Sequence, residues 1–188
     1  MDVHQLSIAF VAEQDRLLAR VNTREGQELQ FWLTRRIALG LAPLMDRLLI
    51  EQVARQSGPA TSHLASLDAL SKKAMADFQR SDSLRGADFA TPYQPSGDSK
   101  PLFDTALLVT DLNVTPKGKS AVHMQFVEKL PGCDGQRSFE MALQDQMVYA
   151  FVHLLEVAIA SAQWCEPAAS AAASPAGAHD GEKPQYLN

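Results

Sequence analysis

The chain is poor in cysteine, and this scarcity excludes two common classes of small protein. Its 188 residues contain only Cys133 and Cys165, which form no CxxC pair. A disulfide framework and a cysteine-ligated zinc site both require more cysteines at characteristic spacings. The sequence therefore predicts neither.

Long apolar runs are also missing. The longest apolar stretch, residues 147–162, is interrupted by His153 and Glu156 and is shorter than the roughly 20 residues that a membrane span needs. The first residues do not combine a basic segment with a long apolar core, as a signal peptide would. We therefore expect no membrane partner and a cytoplasmic location.

Short motifs that carry catalytic chemistry are absent from the sequence. It contains no HExxH, GxSxG, GxGxxG or GxxxxGK[ST]. His153 and Glu156 stand three residues apart, as metal ligands on a helix can, but no second copy of the motif accompanies them. We expect no catalytic residue, no metal and no cofactor. The prediction leans towards a protein that is not an enzyme.

The chain lacks an overall excess of positive charge. Its formal net charge is −5, with 17 lysines and arginines against 22 acidic residues. Binding to duplex nucleic acid depends on a basic surface that releases counterions from the phosphates. The acidic balance therefore disfavours a nucleic-acid partner, although a local basic strip would permit one.

What the first part of the chain does contain is a strand pattern followed by a helix pattern. Apolar residues alternate over 6–12, 16–22 and 28–34, which predicts a three-stranded meander. Thr34 is placed to cap a helix that continues to about residue 56. Pro43 lies inside that helix, so we expect a kink or a restart near residue 42.

The middle of the chain predicts a second helix and a long connection. Residues 60–80 carry an apolar stripe of Leu64, Leu67, Leu70, Ala74 and Phe78. Residues 81–104 are rich in proline, glycine and polar groups, which is typical of an irregular loop.

The last third again predicts three strands and a helix. The strands cover residues 107–114, 121–129 and 138–143, with a turn at residues 115–118, and Asp145 is placed to cap a helix that reaches about Trp164. This helix is apolar over a wide arc, so we expect it to be the central helix, with Phe151 buried. Residues 165–188 are predicted to form a disordered tail.

These patterns indicate an α+β fold made of two βββα units with an inserted helix and antiparallel meander sheets packed on helices. The units cover residues 1–56 and 105–164, and residues 57–104 connect them within a single domain, 1–164. A shift of 110 positions places Leu33 on Leu143 and Leu44 on Leu154. Apolar periodicity forces part of this match, so internal duplication is one of two interpretations.

One short stretch resembles a known family. The residues Lys117-Gly118-Lys119-Ser120-Ala121-Val122 are similar to the KGKAAL stretch of Whirly-type single-stranded DNA-binding proteins, which repeat a β-meander plus helix. The resemblance covers these six residues. They lie in the second unit instead of the first, and each unit of this chain is predicted to have three strands, whereas a unit of the Whirly fold has four. It implies that Lys117 and Lys119 contact single-stranded nucleic acid. The alternative is a solvated hairpin turn.

Trp32, Arg35 and Arg36 form a second candidate binding group. Trp32 is predicted on the strand face opposite Leu29 and Phe31, and tryptophan and arginine are enriched in binding hot spots. The alternative is that another element covers Trp32.

Three functions remain open: a protein-interaction or regulatory module that binds a protein partner or self-associates, a single-stranded nucleic-acid binder, and a small-molecule binder or enzyme with a pocket between the units.

Overall fold

A computed structural model describes residues 3–56, 69–89, 91, 93, 94, 100–118, 121–132, 135–144 and 146–165. The first part contains β1 (Val3–Val11), β2 (Arg16–Thr23), β3 (Gln27–Thr34) and α1 (Arg35–Gln56). After it come α2 (Ala69–Arg85), β4 (Lys100–Pro101), β5 (Leu107–Leu108), β6 (Asp111–Lys117), β7 (Ala121–Glu128), β8 (Arg137–Gln144) and α3 (Gln146–Ser161).

The strands form two sheets. In the first sheet β1, β2 and β3 are antiparallel neighbours, and the short strands β4 and β5 run parallel to β3 along its other edge. The second sheet is the antiparallel meander β6-β7-β8. The alternation of apolar residues therefore predicted the meanders, whereas the parallel pairs join segments that lie far apart in sequence.

The inner faces of the two sheets share one core. Phe31 of β3 lies with its ring centroid 4.8 Å from that of Phe126 and 5.1 Å from that of Phe139, and the last two rings stack on each other. Phe31 and Phe126 are completely buried. The final helix covers this core with Phe151, as expected.

The chain passes from one sheet to the other between β5 and β6. The backbone N–H of Val109 donates to Trp32 O at 3.0 Å in the first sheet, and the next N–H, of Thr110, donates to Val127 O at 2.9 Å in the second. The prediction of one continuous strand over 107–114 is therefore wrong. Its residues divide between the sheets because the direction of backbone pairing changes at this point.

An ion pair fixes this crossing. Glu128 is 5% exposed and accepts a hydrogen bond from Arg137 Nε and another, at 2.7 Å, from the backbone N–H of Leu108. Arg137 also donates to Thr105 Oγ1 at 3.1 Å and lies over the ring of Phe103. The hydrogen bond from Arg137 lowers the pKa of Glu128.

The three described helices are joined by a second ion-pair group. Arg80 of α2 donates to both carboxylate oxygens of Glu156 in α3 and lies 3.9 Å from Asp46 of α1. Burial and the nearby charge of Glu156 raise the pKa of Asp46. Glu156 is thus bonded to α2, and its helix neighbour His153 contacts Phe89 instead.

Two helix predictions need correction. α1 is continuous from Arg35 to Gln56 with Pro43 inside it, which excludes a restart near residue 42, and the alternative of a kink there stays a prediction. The helix predicted at 60–80 extends to Arg85, and residues 57–68 lie outside the described part. The cap at Thr34 is confirmed, because its Oγ1 accepts the N–H of Ile37 at 3.3 Å.

The turn predicted at residues 115–118 also begins too early. Pro116 is part of β6, which pairs with β7 on one side only in the described sheet, and an edge strand tolerates a residue without a backbone N–H. Gly118 adopts φ 65° directly after the end of β6. Asp145, the predicted cap of α3, and residues 166–188, predicted as a tail, lie outside the described residues.

The fold is mixed α and β with two sheets of antiparallel strands, as predicted. The internal duplication is not confirmed, since the two sheets differ in their strand content. None of the described helices has both the length and the apolar character needed to cross a membrane.

Candidate functional site

A groove of about 710 Å³ lies where the two units meet their connecting segment. We call it the strand-edge groove. One side is residues 4–8 of β1, the opposite side is α3, and the third is the connecting segment of residues 86–89, 91, 93 and 94. The residues contributed by α3 are Gln146, Met147, Ala150 and Leu154.

The β1 side of the groove is the edge of the first sheet. Residues 4–8 belong to β1, and residues 5–8 pair with β2 in continuous register along the other edge, whereas His4 lies at an irregularity in the pairing between Val3 and Gln5. In an antiparallel pair, alternate residues direct their N–H and C=O groups away from the partner strand. Among the described backbone groups, no other segment pairs with residues 6–10.

The α3 side is apolar because of helical spacing. Met147, Ala150 and Leu154 recur at i, i+3 and i+7, which places them along one side of the helix. The opposite side of α3 holds Phe151 and Leu155 in the core. The groove therefore has a backbone edge on one wall and aliphatic side chains on the other.

Hydrogen bonds hold the connecting segment to the first sheet. The hydroxyl of Tyr93 donates to Asn22 Oδ1 at 2.7 Å, and Asn22 Nδ2 donates to Gln94 O at 3.0 Å. The N–H of Gln94 donates to Gln5 Oε1 at 3.4 Å. Burial raises the pKa of Tyr93, and Glu28 adds to this effect, so the phenol remains a hydrogen-bond donor.

The other end of the connecting segment is held by α2, α3 and a local turn. Asp88 accepts hydrogen bonds from the N–H of Thr91 at 3.0 Å and from its hydroxyl at 2.6 Å. The ring of Phe89 contacts His153 of α3 edge-on, at 4.9 Å between centroids, and is 41% exposed. Gln146 donates to Ser83 O at 3.0 Å, which joins the start of α3 to the end of α2.

The described lining of the groove carries little charge. Among the described residues, it includes the carboxylate of Asp88 and no lysine or arginine. Ser7 has no imidazole partner within the hydrogen bonds of the described residues, and none of these residues form a cluster of three or more metal-ligating side chains. No buried side-chain nitrogen or oxygen in the described part lacks a hydrogen-bond partner.

Trp32, Arg35 and Arg36 do not lie in the groove. Trp32 is half-buried on the outer face of the first sheet, between Leu18 of β2 and Leu108 of β5. The guanidinium of Arg35 donates to Trp164 O at 2.7 Å, and that of Arg36 to Thr110 O at 3.4 Å. Both arginines thus contact backbone carbonyls of distant segments. Their role in binding stays a prediction.

Trp164 is part of a contact that sequence reasoning did not anticipate. Its indole N–H donates to Asp15 Oδ1 at 2.6 Å, and its ring packs edge-on against Phe10. Together with the bond from Arg35, these contacts attach the segment after α3 to β1, to the β1–β2 turn and to the start of α1. The only sequence signal for this contact was a tryptophan at the end of an apolar helix.

Lys117 lies at the end of β6, on the outer face of the second sheet, and Lys119 lies outside the described residues. A row of polar side chains crosses this face: Asn113 Nδ2 donates to Gln125 Oε1 at 3.0 Å, and Gln125 Nε2 donates to Glu140 Oε1 at 3.2 Å. No Phe, Tyr or Trp of the described strands lies on this face. It therefore lacks the aromatic platform on which single-stranded bases stack.

The groove residues themselves were missed by sequence reasoning. Leu6 and Ile8 were assigned to a strand and Met147 and Leu154 to a helix, but nothing in either pattern indicated that the two would face each other. The connecting segment was predicted as part of an irregular loop, and the only available signal was that long loops often carry function.

Comparison of the chain with family models, with curated proteins and with solved structures gives no match.

Proposed function

We propose that this protein is a non-enzymatic interaction module that binds an extended segment of a partner protein in the strand-edge groove. One observation carries the proposal: five consecutive residues of a sheet-edge strand line a groove whose opposite wall is apolar. An extended segment that enters such a groove adds a strand to the sheet. Its backbone supplies affinity, and its alternate side chains supply specificity.

The dimensions of the groove support this occupant. Five residues of β1 extend over about 16 Å, since a strand rises about 3.3 Å per residue. A partner strand of similar length has side chains that point alternately to the two faces of the sheet. Those directed at α3 contact Met147, Ala150 and Leu154, so we expect aliphatic residues at alternate positions of the partner.

The charge of the lining also limits the partner, because the described lining residues include no lysine or arginine. Asp88 is the carboxylate in the groove, and His4 lies at its other end. An acidic segment is repelled by Asp88. We therefore expect a neutral or weakly basic segment.

A small molecule is the second candidate, because the volume of the groove falls within the range of about 300–1,000 Å³ that is typical of ligand sites. The edge strand favours a peptide over a small molecule. Hydrogen bonds to the backbone along five residues require a ligand whose own N–H and C=O groups repeat at the spacing of a strand. Single-stranded nucleic acid has less support, given the non-aromatic outer face of the second sheet. A cytoplasmic location stays a prediction.

The test is selection from a random decapeptide library displayed on phage, with the full chain immobilised. We expect selected peptides to alternate aliphatic residues. Their affinity, measured by fluorescence anisotropy, is expected to fall about tenfold or more in Leu154→Glu, because a central apolar contact of an interface is lost. The matched control is Val157→Glu on the same helix, where Val157 is 53% exposed and outside the groove.

Hydrogen exchange distinguishes addition of a peptide strand to β1 from other modes of binding. On addition of a selected peptide, amide protection is expected to rise in residues 4–8 and not along β8. Equal binding by the two glutamate variants would contradict the proposal. So would a peptide that leaves exchange in residues 4–8 unchanged.

A further inference from the structure

The apolar stripe of α2 faces away from the protein. Leu70 is 76% exposed and Phe78 is 71% exposed, and Ala74 between them is also exposed. The three residues stand at i, i+4 and i+8, so they form one ridge along the helix surface. We call it the α2 ridge.

The inward side of α2 explains this orientation. Ala76 is 5% exposed and packs inward, and Arg80 reaches Glu156 and Asp46 of the neighbouring helices. A largely buried arginine must meet its acidic partners, so the ion pair fixes which side of α2 faces the protein. The ridge is then left on the outside. Single exposed apolar residues are ordinary, but a leucine and a phenylalanine on one ridge form a patch.

An ion pair lies beside the ridge. Lys73 Nζ is 3.4 Å from Asp77 Oδ2, and both side chains are about 60% exposed. Lys73 precedes the centre of the ridge and Asp77 follows it. On a helical wheel both residues lie on the same flank of the ridge, next to Leu70.

This arrangement is complementary to itself. A twofold axis that pairs two copies of α2 antiparallel brings the same flank of both helices together and reverses the direction of one. Lys73 of one copy then faces Asp77 of the other, and Leu70 faces Phe78. With the twofold axis at Ala74, Lys73 of one copy and Asp77 of the other are offset by two residues along the helix axis, a rise of about 3 Å, which the lysine side chain spans.

We propose that the α2 ridge binds the α2 ridge of a second copy of this chain. The two α2 helices then form an antiparallel pair in which they cross at Ala74. The small side chain of Ala74 permits close approach of the two helices where they cross. The surface is distinct from the strand-edge groove, so either proposal can fail without the other. One ridge buries much less than the roughly 800 Å² per partner of a standard interface, so the dimer is expected to be weak.

Sedimentation equilibrium of the full chain tests this up to millimolar concentration. The wild type is expected to show a monomer–dimer equilibrium. Phe78→Glu is expected to raise the dissociation constant about tenfold or more, because it places a charge against Leu70 of the other copy. Val157→Glu changes an exposed apolar residue on α3 and is expected to leave the equilibrium unchanged. A wild type that remains monomeric, or a Phe78→Glu variant that dimerises as the wild type does, would overturn the proposal.

Charge reversal tests the antiparallel register. Lys73→Glu places two negative charges against each other across the twofold axis, and Asp77→Lys places two positive charges there, so each variant alone is expected to dimerise less. In an equimolar mixture of the two variants, each introduced charge meets an opposite charge on the other copy, so the heterodimer is expected to form. The disturbed ion pair within each helix persists in the mixture, so it cannot explain a rescue. A mixture no more associated than its components would overturn this pairing.

Discussion

The outer faces of the two sheets differ although their inner faces share one core. On the first sheet an apolar row of Ala9, Leu18, Trp32 and Leu108 crosses the outer face. Tyr93 and Gln94 of the connecting segment bond to a second row on this face, which consists of Gln5, Asn22 and Glu28. On the second sheet the corresponding face carries a polar row and is open. The first sheet therefore packs on both faces and the second on one.

The sequence of β2 shows what packing on both faces requires. Leu17, Leu18 and Ala19 are consecutive and all buried, and Asn22 is buried on the outer side, where Tyr93 and Gln94 satisfy its amide. In β7 burial alternates strictly, with His123 and Gln125 pointing outward. The difference between β2 and β7 indicates that the connecting segment packs on the outer face of the first sheet. The groove exists because the segment is held at this position.

The largest expected effect tests the shared core. Phe31→Ala removes a fully buried ring that contacts two phenylalanines of the other sheet, and is expected to lower the free energy of unfolding by about 3–5 kcal/mol. Urea denaturation measures it. A loss below about 1 kcal/mol would mean that the sheets do not share this core.

The next effect tests the link between the sheets. Glu128→Gln weakens the bonds to Arg137 and Leu108 and is expected to cost about 1–3 kcal/mol at neutral pH. Because the pKa of Glu128 is lowered in the folded state, its contribution is present above the usual glutamate pKa of about 4.3 and is lost as the pH falls through the folded value. The difference in unfolding free energy between wild type and variant should therefore shrink in acid.

A control for this pH dependence is Glu140→Gln, since Glu140 lies on the open face of the second sheet with its side chain 55% exposed. We expect a change of less than about 1 kcal/mol at neutral and at acid pH, because the contact between Glu140 Oε2 and His123 Nε2, 3.4 Å apart, is solvent-exposed. A constant difference between wild type and Glu128→Gln from neutral pH into acid would show that the charge of Glu128 is not what holds the crossing.

The smallest effects compare the two outer faces directly. Trp32→Ala removes a half-buried aromatic from the apolar row and is expected to cost about 1–3 kcal/mol. Gln125→Ala removes the centre of the polar row and is expected to stay within about 0.5 kcal/mol. Thermal unfolding of both variants under one condition gives the comparison. Equal losses would mean that the two faces do not differ in packing.

Much of the fold was predictable because its signals are local. Alternation in Leu29, Phe31 and Leu33 predicted β3, and the hydroxyl of Thr34 predicted the start of α1. The predictions failed where a distant partner decides the outcome. The strand over 107–114 divides because Val109 and Thr110 bond to different sheets, and no periodicity encodes that change.

The candidate site was less predictable than the fold. Residues 4–8 and α3 are about 140 positions apart in sequence, and only the packing of the two units brings them together. The candidate binding group of Trp32, Arg35 and Arg36 was predicted from residue type. Residue type indicates which contacts a side chain can make, but not where in the fold the side chain lies. Their local strand and helix positions were correct, but the groove lies elsewhere.

The sequence by itself determined the periodic elements, the α+β class and the inward residues of the strands, because alternation and capping depend on neighbours along the chain. Tertiary structure alone decided the outward orientation of the α2 ridge, the change of sheet between β5 and β6, and the strand-edge groove. Each of these depends on contacts between residues far apart in sequence, such as Arg80 with Glu156 and Tyr93 with Asn22. The free energy of those contacts exceeds the local conformational preference that the apolar pattern expresses.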